Sequence, residues 1–469
     1  MTTNHFNPAD RRQYPARWSM YRGKHLFQEV DRRSENGTEE LLTVSHITGI
    51  TPRSQKNVNM FQSESLVGYK LCEVGDIAAN TMWMWQGAIG VSQYRGVISP
   101  SYSVYRQRGD YYSPSFLDLL LREPRLVDVY HSLSTGIRSS RLRLYPDVFL
   151  TIADVFLTIG FPVPSREEQD QIVRFLDWKV SEVNKLIRTL REEINGLEEL
   201  KTQTIDEAVV HGLRGGSESQ REDGCWDISY PSTWRLERLR NIFTFRKGLS
   251  ITKENLEPAG IPVINYGQIH SKKNDMVSLV GDMFKYVNAS YLLTNPSALV
   301  EKGDFIFADT SEDLKGCGNC VYVDREQRIF AGYHSIIMHS KKNCDNKYFA
   351  YLFKSPTWRN RIRQKVNAVK VYSINQQILK DAFILVPSRG EQKEIVQYLD
   401  NACSRIDSLV DSKNKMIEAL SEMKTTVISD VVTGKIDVRD IAIPEYEHVG
   451  DVVADDSGDN GCETTGEEE

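Results

Sequence analysis

Residues 163–177 read VPSREEQDQIVRFLD, and residues 386–400 read VPSRGEQKEIVQYLD. The phrases lie 223 residues apart, and from Pro164 and Pro387 onward nine of fourteen positions agree. The shared residues are Pro164/Pro387, Ser165/Ser388, Arg166/Arg389, Glu168/Glu391, Gln169/Gln392, Ile172/Ile395, Val173/Val396, Leu176/Leu399 and Asp177/Asp400. Pro and Ser ahead of Glu-Gln spell a capped helix start with acid in its first turn. Beyond it, Leu176, Val180, Val183, Ile187, Leu190, Ile194 and Leu197 step by four and three. Leu399, Cys403, Ile406, Val410, Lys413, Ile417 and Leu420 do the same, with Lys413 the one polar interruption. A sustained 3.5-residue period points to a coiled coil. Both copies end alike, in ELKTQTIDEAVVHG and EMKTTVISDVVTG. Each helix then spans about 45 residues, or about 68 Å at about 1.5 Å per residue. Two unrelated amphipathic helices would not share both starts and ends.

The duplication reaches beyond the helices. GDIAANT (75–81) is matched by GDFIFADT (303–310), and ISPSY (98–102) by IFAGY (329–333). Aromatic-rich segments follow, SFLDLLLRE (115–123) and YFAYLFKSP (348–356). Then come basic loops, STGIRSSRLRL (134–144) and WRNRIRQKVNAVKVYS (358–373). Short β-rich runs such as VSQYRGVISPSYSVYR mark mixed α/β domains. The fold class is α+β: two tandem mixed domains, each followed by a long helix. The first domain is 1–162, its helix 163–212, and 213–224 a flexible linker. The second domain is 225–386 and its helix 387–434. Residues 435–469 form a C-terminal extension, acidic and expected to be disordered from 445.

Net charge is −6, which argues against a nucleic-acid partner until its distribution is read. Residues 445–469 hold ten acidic and no basic residues, leaving +4 on residues 1–444. The first domain region, 1–160, carries +3 and the second, 225–386, carries +8, while the helix regions 161–224 and 387–444 carry −5 and −2. Local fields rather than the total steer a polyanion. Seven cysteines in 469 residues fit free thiols in a reducing compartment. Cys317 and Cys320 lack a second ligand pair, so a tight turn with buried thiols is read there and no metal site. The polar start MTTNHFNPADRRQ predicts no signal peptide, and the apolar run 148–163 is too short to span a bilayer, so a cytoplasmic chain with no membrane partner is expected.

The chain resembles the specificity subunit of type I restriction–modification enzymes over nearly its whole length. The motifs are FQEVDRRSENGTEELLTVSHITGITPR (27–53), MWMWQGAIGVSQYRGVISPSYSVY (82–105), PSTWRLERL (231–239), GLSITKENLEPAGIPVINYGQIHS (248–271), GDFIFADTSED (303–313) and the paired PSR-x-EQ helices. The resemblance implies two target recognition domains, each reading one half of a bipartite site on double-stranded DNA. It implies helices packed antiparallel with pseudo-two-fold symmetry, acting as a ruler. It implies two docked modification (methyltransferase) subunits bringing S-adenosylmethionine, and two restriction (motor/nuclease) subunits using ATP and Mg. No cofactor and no catalytic residue then belong to this chain. Trp178 and Lys179 stand where the second copy has Asn401 and Ala402, so the two partner surfaces need not be equal.

DNA affinity needs Lys or Arg on phosphates, and sequence reading needs planar or forked groups on base edges. In the first domain the candidates are Arg138, Arg141 and Arg143 with their small neighbour Ser139, together with Arg53. Trp83 and Trp85 in MWMWQG read as one face of a strand, with Gln86 the better base reader. In the second domain the NYGQIHSKK loop offers Tyr266, Gln268, His270, Lys272 and Lys273, and ADTSED offers Thr310 and Ser311. The most basic stretch offers Arg359, Arg361, Arg363, Lys365, Asn367, Lys370 and Tyr372. The helix-pair and partner interface is expected at Leu176, Val180, Val183, Ile187, Leu190, Ile194 and Leu197 with Leu399, Ile406, Val410, Ile417 and Leu420. Other classes are a coiled-coil scaffold without DNA binding and a stand-alone nuclease. The chain has no Walker loop, and NPSA (295–298) fails as an Asn-Pro-Pro-aromatic methyltransferase site.

Overall fold

The computed structural model describes residues 14–55, 65–134, 156–215, 218–219, 228–341, 344–366 and 372–450. Packing divides the chain into two units: residues 1–190 with 415–469, and residues 191–414. Each unit is built on a four-stranded antiparallel sheet, and the strand order is the same in both. In the first it is Phe27–Glu29, Ser103–Gln107, Ile77–Ala79, Ile89–Val91. In the second it is Phe243–Lys247, Ser335–Ser340, Phe305–Ala308, Cys320–Tyr322. The apolar runs IAA and FIFA become fully buried inner strands. In both units an entering strand pairs with the strand that leaves for the long helix: Ser19–Arg22 with Gly160–Val163, and Arg235–Arg238 with Phe383–Val386. The second unit adds a five-stranded sheet in which Ile261–Ile264 and Ile329–Ala331 run parallel.

The GD turns are matched atom for atom. Gly75 and Gly303 have φ of 88° and 96°, a conformation open to glycine. The next residue, Asp76 or Asp304, is buried and accepts at 3.0 Å from the backbone N–H three residues upstream, Glu73 or Glu301. Arg106 Nε and Nη2 complete Asp76 at 2.6 and 2.7 Å. His339 Nδ1 at 2.7 Å and Arg246 Nη2 at 3.4 Å complete Asp304. Burial pushes the Asp304 carboxyl up against the pull of these donors. Aromatic rings fill both cores: Phe27 meets Phe161 edge-on at 5.3 Å, and Phe243 meets Phe349 edge-on at 5.3 Å. Such pairs add about 1 kcal/mol to simple area burial.

The repeated phrase starts two long helices, Arg166–Val210 of 45 residues and Arg389–Val432 of 44. Ser165 Oγ accepts from Glu168 N at 3.3 Å, and Ser388 Oγ from Glu391 N at 3.3 Å. Glu167, Glu168 and Glu391 lie in the first turns, where acid favours the helix dipole. The glutamine of each phrase is buried and ties the helix start to a domain. Gln169 Oε1 accepts from Ser113 N at 2.8 Å, and its Nε2 donates to Tyr111 O at 2.9 Å and Pro164 O at 3.0 Å. Gln392 Oε1 accepts from Asp345 N at 2.9 Å and its Nε2 donates to Pro387 O at 3.0 Å. Ser113 and Asp345 are themselves the caps of the aromatic-rich helices Pro114–Leu121 and Asn346–Lys354. Both long helices stop at a positive-φ glycine, Gly212 at 77° and Gly434 at 70°. A Cβ on either would press on a tryptophan, Trp234 or Trp18.

Along the stripe, Leu176, Val183, Ile187 and Leu190 are buried and Val180, Ile417 and Leu420 half-buried in the first unit. In the second unit Leu399, Cys403 and Ile406 are buried, and Ile194, Leu197, Val410 and Lys413 half-buried. Lys413 Nζ meets Glu193 at 2.6 Å, and Lys201 Nζ meets Asp407 at 2.6 Å. Among the described residues no helix is long and apolar enough to cross a membrane.

Four local expectations are corrected. MWMWQG is not a strand; Met84–Gln86 form a 3-10 turn ended by Gly87 at φ 87°, which breaks the two-residue alternation. WRNRIR is not loop but the end of helix Pro356–Arg363, capped by Ser355 Oγ on Trp358 N and anchored by buried Trp358 and Ile362. Within the linker, Glu218–Ser219 pair with Tyr230–Pro231. The tail is ordered through Gly450: Val449 is buried, its N–H donates to Ser181 Oγ at 3.2 Å, and Asn184 Nδ2 donates to its carbonyl at 2.9 Å.

Replacing Gln169 or Gln392 by Leu strands buried backbone donors and acceptors at the domain–helix joint. Each change is expected to cost about 3 kcal/mol, read as a lower urea unfolding midpoint. A control at exposed Gln93 is expected to shift it by less than about 0.5 kcal/mol.

Candidate nucleic-acid interface

In the second unit three connections open at one corner of the sheets. The strand Ile261–Ile264 runs into a one-turn helix, Tyr266–Ile269. The strand Phe305–Ala308 runs into Asp309 and the two-residue strand Thr310–Ser311, which pairs with Tyr372–Ser373. Gly332, Tyr333 and His334 join the strands Ile329–Ala331 and Ser335–Ser340. The aromatic rings gather there: Tyr266 is edge-on to His270 at 4.8 Å and to His334 at 6.4 Å, and Tyr333 to His334 at 5.9 Å. Asp309 Oδ1 lies 3.1 Å from His334 Nδ1. Burial and the neighbouring Glu312 carboxylate push the Tyr266 phenol up.

This corner sorts the sequence candidates. Lys272, Lys273 and Lys365 are exposed, and Tyr266, Thr310, Arg361 and Tyr372 are half-buried. His270 is engaged at both ring nitrogens, Nε2 with Thr310 O at 2.9 Å and Nδ1 with Asn319 Nδ2 at 3.2 Å. It is a strut between segments rather than an open base reader. Ser311 is buried and donates to Asp313 O at 2.7 Å, so it is not a surface donor. Gln268 lies on a helix turn instead of a loop, and its Oε1 accepts from Asn265 N at 3.1 Å as half of a capping box. Asn367 and Lys370 lie outside the described residues.

The basic helix has an inward side. Arg359 Nη2 donates to Lys315 O and, at 2.5 Å, to Asn319 Oδ1, and Arg363 Nη2 donates to Lys315 O at 2.7 Å. These two arginines hold the KGCGNC turn, where Cys317 and Cys320 are buried and Gly318 has φ 87°. Burial, aided by the Arg363 charge, lowers the Arg359 guanidinium to about 10, and burial pushes the Cys320 thiol up. Arg359 and Arg363 are therefore consumed by the fold. Among the described residues no group of three or more His, Cys, Asp or Glu is placed to hold a metal.

In the first unit Trp83 and Trp85 are half-buried and stacked with centroids 6.0 Å apart, and Trp85 leans on His131 at 5.8 Å. Gln86 is half-buried beside them. Arg53 is half-buried in the turn Arg53–Gln55, with its N–H on Leu41 O at 2.9 Å. Arg138, Ser139, Arg141 and Arg143 lie outside the described residues. Sequence reasoning passed over His334 and Asp309 as a pair. A Gly-Tyr-His corner between two apolar runs was the available signal.

Residues 231–419 match the family described as "Type I restriction modification DNA specificity domain". The MjaVIII type I restriction enzyme specificity subunit of Methanocaldococcus jannaschii is 22% identical over 290 residues, 61% of this chain and 64% of that protein. The StySPI type I restriction enzyme specificity subunit of Salmonella potsdam is 22% identical over 210 residues, 44% of each. The chain thus spans between 44% and 64% of the length of these curated relatives. A chain of a solved structure described as "Structural basis underlying complex assembly and conformational transition of the type I R-M system" shares the fold. Its TM-score is 0.60 at 16% identity, covering 90% of this chain and 99% of that one.

Arg359→Met leaves the Asn319 amide oxygen without its charged donor and the Lys315 carbonyl with Arg363 alone, and is expected to cost about 3 kcal/mol in a thermal or urea melt. Lys272→Ala, on the exposed rim, is expected to stay within about 0.5 kcal/mol of the parent in the same assay.

Proposed function

We propose that the chain is a member of the type I restriction–modification DNA specificity family, whose model matches residues 231–419, and that it selects the DNA site for such a complex, each unit reading one half of a bipartite sequence. The observation that carries this reading is the duplicated frame. Two sheets of one strand order, with the same GD turn, the same glutamine joint and the same glycine stop, hold differently furnished corners. A repeated frame with unlike corners suits two half-sites of unlike sequence, since two-fold protein symmetry mirrors half-site spacing.

In this reading the helices pair antiparallel as a coiled coil. Support comes from the second unit, where Glu193 meets Lys413 and Lys201 meets Asp407, one number rising as the other falls. A rod of about 68 Å spans about 20 base pairs at about 3.4 Å each, enough to fix the gap between half-sites. The outer faces of the helices dock two modification subunits, which bring S-adenosylmethionine for adenine methylation. Restriction subunits with ATP and Mg join through them. This chain contributes no catalytic group and acts in the cytoplasm. Lys272, Lys365 and Arg361 contact phosphates, and Tyr266, Thr310 and Tyr372 line the base-reading side in the second unit. Arg53 and Gln86 act in the first.

Co-expression with the cognate modification subunit, followed by methylome sequencing, is expected to reveal one bipartite N6-methyladenine motif with a fixed gap. A contiguous motif would sink the two-unit ruler, and a stable complex with no methylation would favour a scaffold role. In the same complex, Lys272→Ala and Lys365→Ala are each expected to lower the salt slope of DNA binding by about one, without altering the motif.

A further inference from the structure

His334 is held in a backbone conformation that a side chain normally avoids, with φ at +53°. Its corner is over-determined. Gly332 N donates to Ile264 O at 2.8 Å, Ser335 Oγ donates to Gly332 O at 2.6 Å, and Asp309 N donates to His334 O at 3.1 Å. A Cβ on Gly332 would fall 1.6 Å from Asn265 Oδ1, so glycine is forced there. Two residues on, where left-handed backbone suits glycine, the chain carries an imidazole. Strain maintained by surrounding bonds at an exposed residue points to a use for that side chain.

The imidazole is also aimed. Its Nδ1 lies 3.1 Å from the Asp309 carboxylate, and its side chain is 58% exposed. A carboxylate accepts only, so Nδ1 carries the proton, and in the Nδ1–H tautomer Nε2 is a lone-pair acceptor. Tyr266 and Tyr333 stand edge-on to it and restrict its tilt. In the first unit the register that sets Arg106 where His339 stands places exposed Ser101 at the position of His334, in the turn before the strand Ser103–Gln107. The fold therefore does not need an exposed ring at this place.

We infer that His334 is a sequence-determining residue of the second unit, whose Nε2 accepts from the exocyclic amino group of adenine or cytosine in the major groove, held in its tautomer by Asp309. Those amino groups are the only base-edge donors in that groove. The inference rests on the DNA-reading function proposed above. It adds which residue selects, by which atom, and against which base group.

The test uses the full chain in complex with its modification subunit, on a DNA library randomised over both half-sites. Methylation is read by sequencing for the parent, His334→Gly and His334→Asn. Glycine and asparagine both tolerate the left-handed backbone, so both variants should fold, with unfolding midpoints equal to or above the parent's. Both are expected to lose about ten-fold of the preference at one position of one half-site, with the other half-site and the gap unchanged. Asparagine fails like glycine because its amide stops short of the imidazole Nε2. A folded variant that keeps the parent's preference at every position overturns the inference while leaving the DNA-reading function intact. A parent complex that methylates without any sequence preference overturns both, and the parent arm alone reveals it.

Discussion

The amide of a buried glutamine joins each domain to its helix, and the remaining geometry depends on that joint. Gln169 and Gln392 each bond the carbonyl of the proline that opens the repeated phrase and the N–H of the residue capping the next domain helix. Four chain segments are thereby fixed by one planar group: the exit strand, the long helix, the aromatic-rich helix and the loop before it. A shorter or charged side chain could not do this. Asparagine lacks the reach, and glutamate would face the carbonyls of Tyr111 and Pro164 with a second acceptor where they need a donor. The joint is rigid because its polar atoms are buried and paired, and unpaired they would cost more than the bonds contribute. Any role that requires a domain to be held at a set angle to a rod needs such a joint.

The two copies solve one electrostatic problem with different parts. Two turns beyond each glutamine lies an aspartate, Asp177 or Asp400. In the second unit, Asp400 is met by Lys347 Nζ at 2.7 Å and Tyr351 O–H at 2.6 Å, both from the helix Asn346–Lys354. In the first unit, the matching helix Pro114–Leu121 offers only Ser115 and Leu119 at those places. There the hydroxyl and a ring nitrogen come from the C-terminal extension: Tyr446 donates to Asp177, and His448 Nδ1 lies at 3.0 Å. The Asp177 carboxylate holds the Tyr446 phenol up at about 12. The extension is thus an integral part of the first unit, supplying what that unit's own helix lacks.

Much of this frame was legible in the sequence because it rests on local, repeated signals. The Ser-x-x-Glu cap, the four-three stripe and the glycine stops are short-range patterns, and Arg166–Val210 and Arg389–Val432 follow from them. The corners were not legible, because each is made by residues distant in the chain. MWMWQG alternates like a strand, but Gly87 at positive φ turns it. Basic WRNRIRQK reads as a loop that contacts DNA, yet Arg359 and Arg363 find the Lys315 carbonyl more than forty residues away. His270 and Ser311 look available in a string of polar letters, but both are spent on backbone carbonyls. Composition predicted a disordered tail from 445, whereas Tyr446, His448 and Val449 carry the few groups that dock it.

The same contrast explains which positions are free to differ between the units. Positions inside the frame satisfy several partners at once, so changing them breaks the joint. Exposed corner positions satisfy fewer partners, and the frame tolerates variation there: the place held by exposed Ser101 in one unit is held by a strained, exposed histidine in the other. A duplicated chain can therefore keep its helix geometry constant while its two corners diverge. The left-handed backbone at His334 persists because the bonds of Gly332, Ser335 and Asp309 fix the corner regardless of the residue placed upon it. A frame that holds strain at a surface position without yielding leaves that position free to differ between the two units.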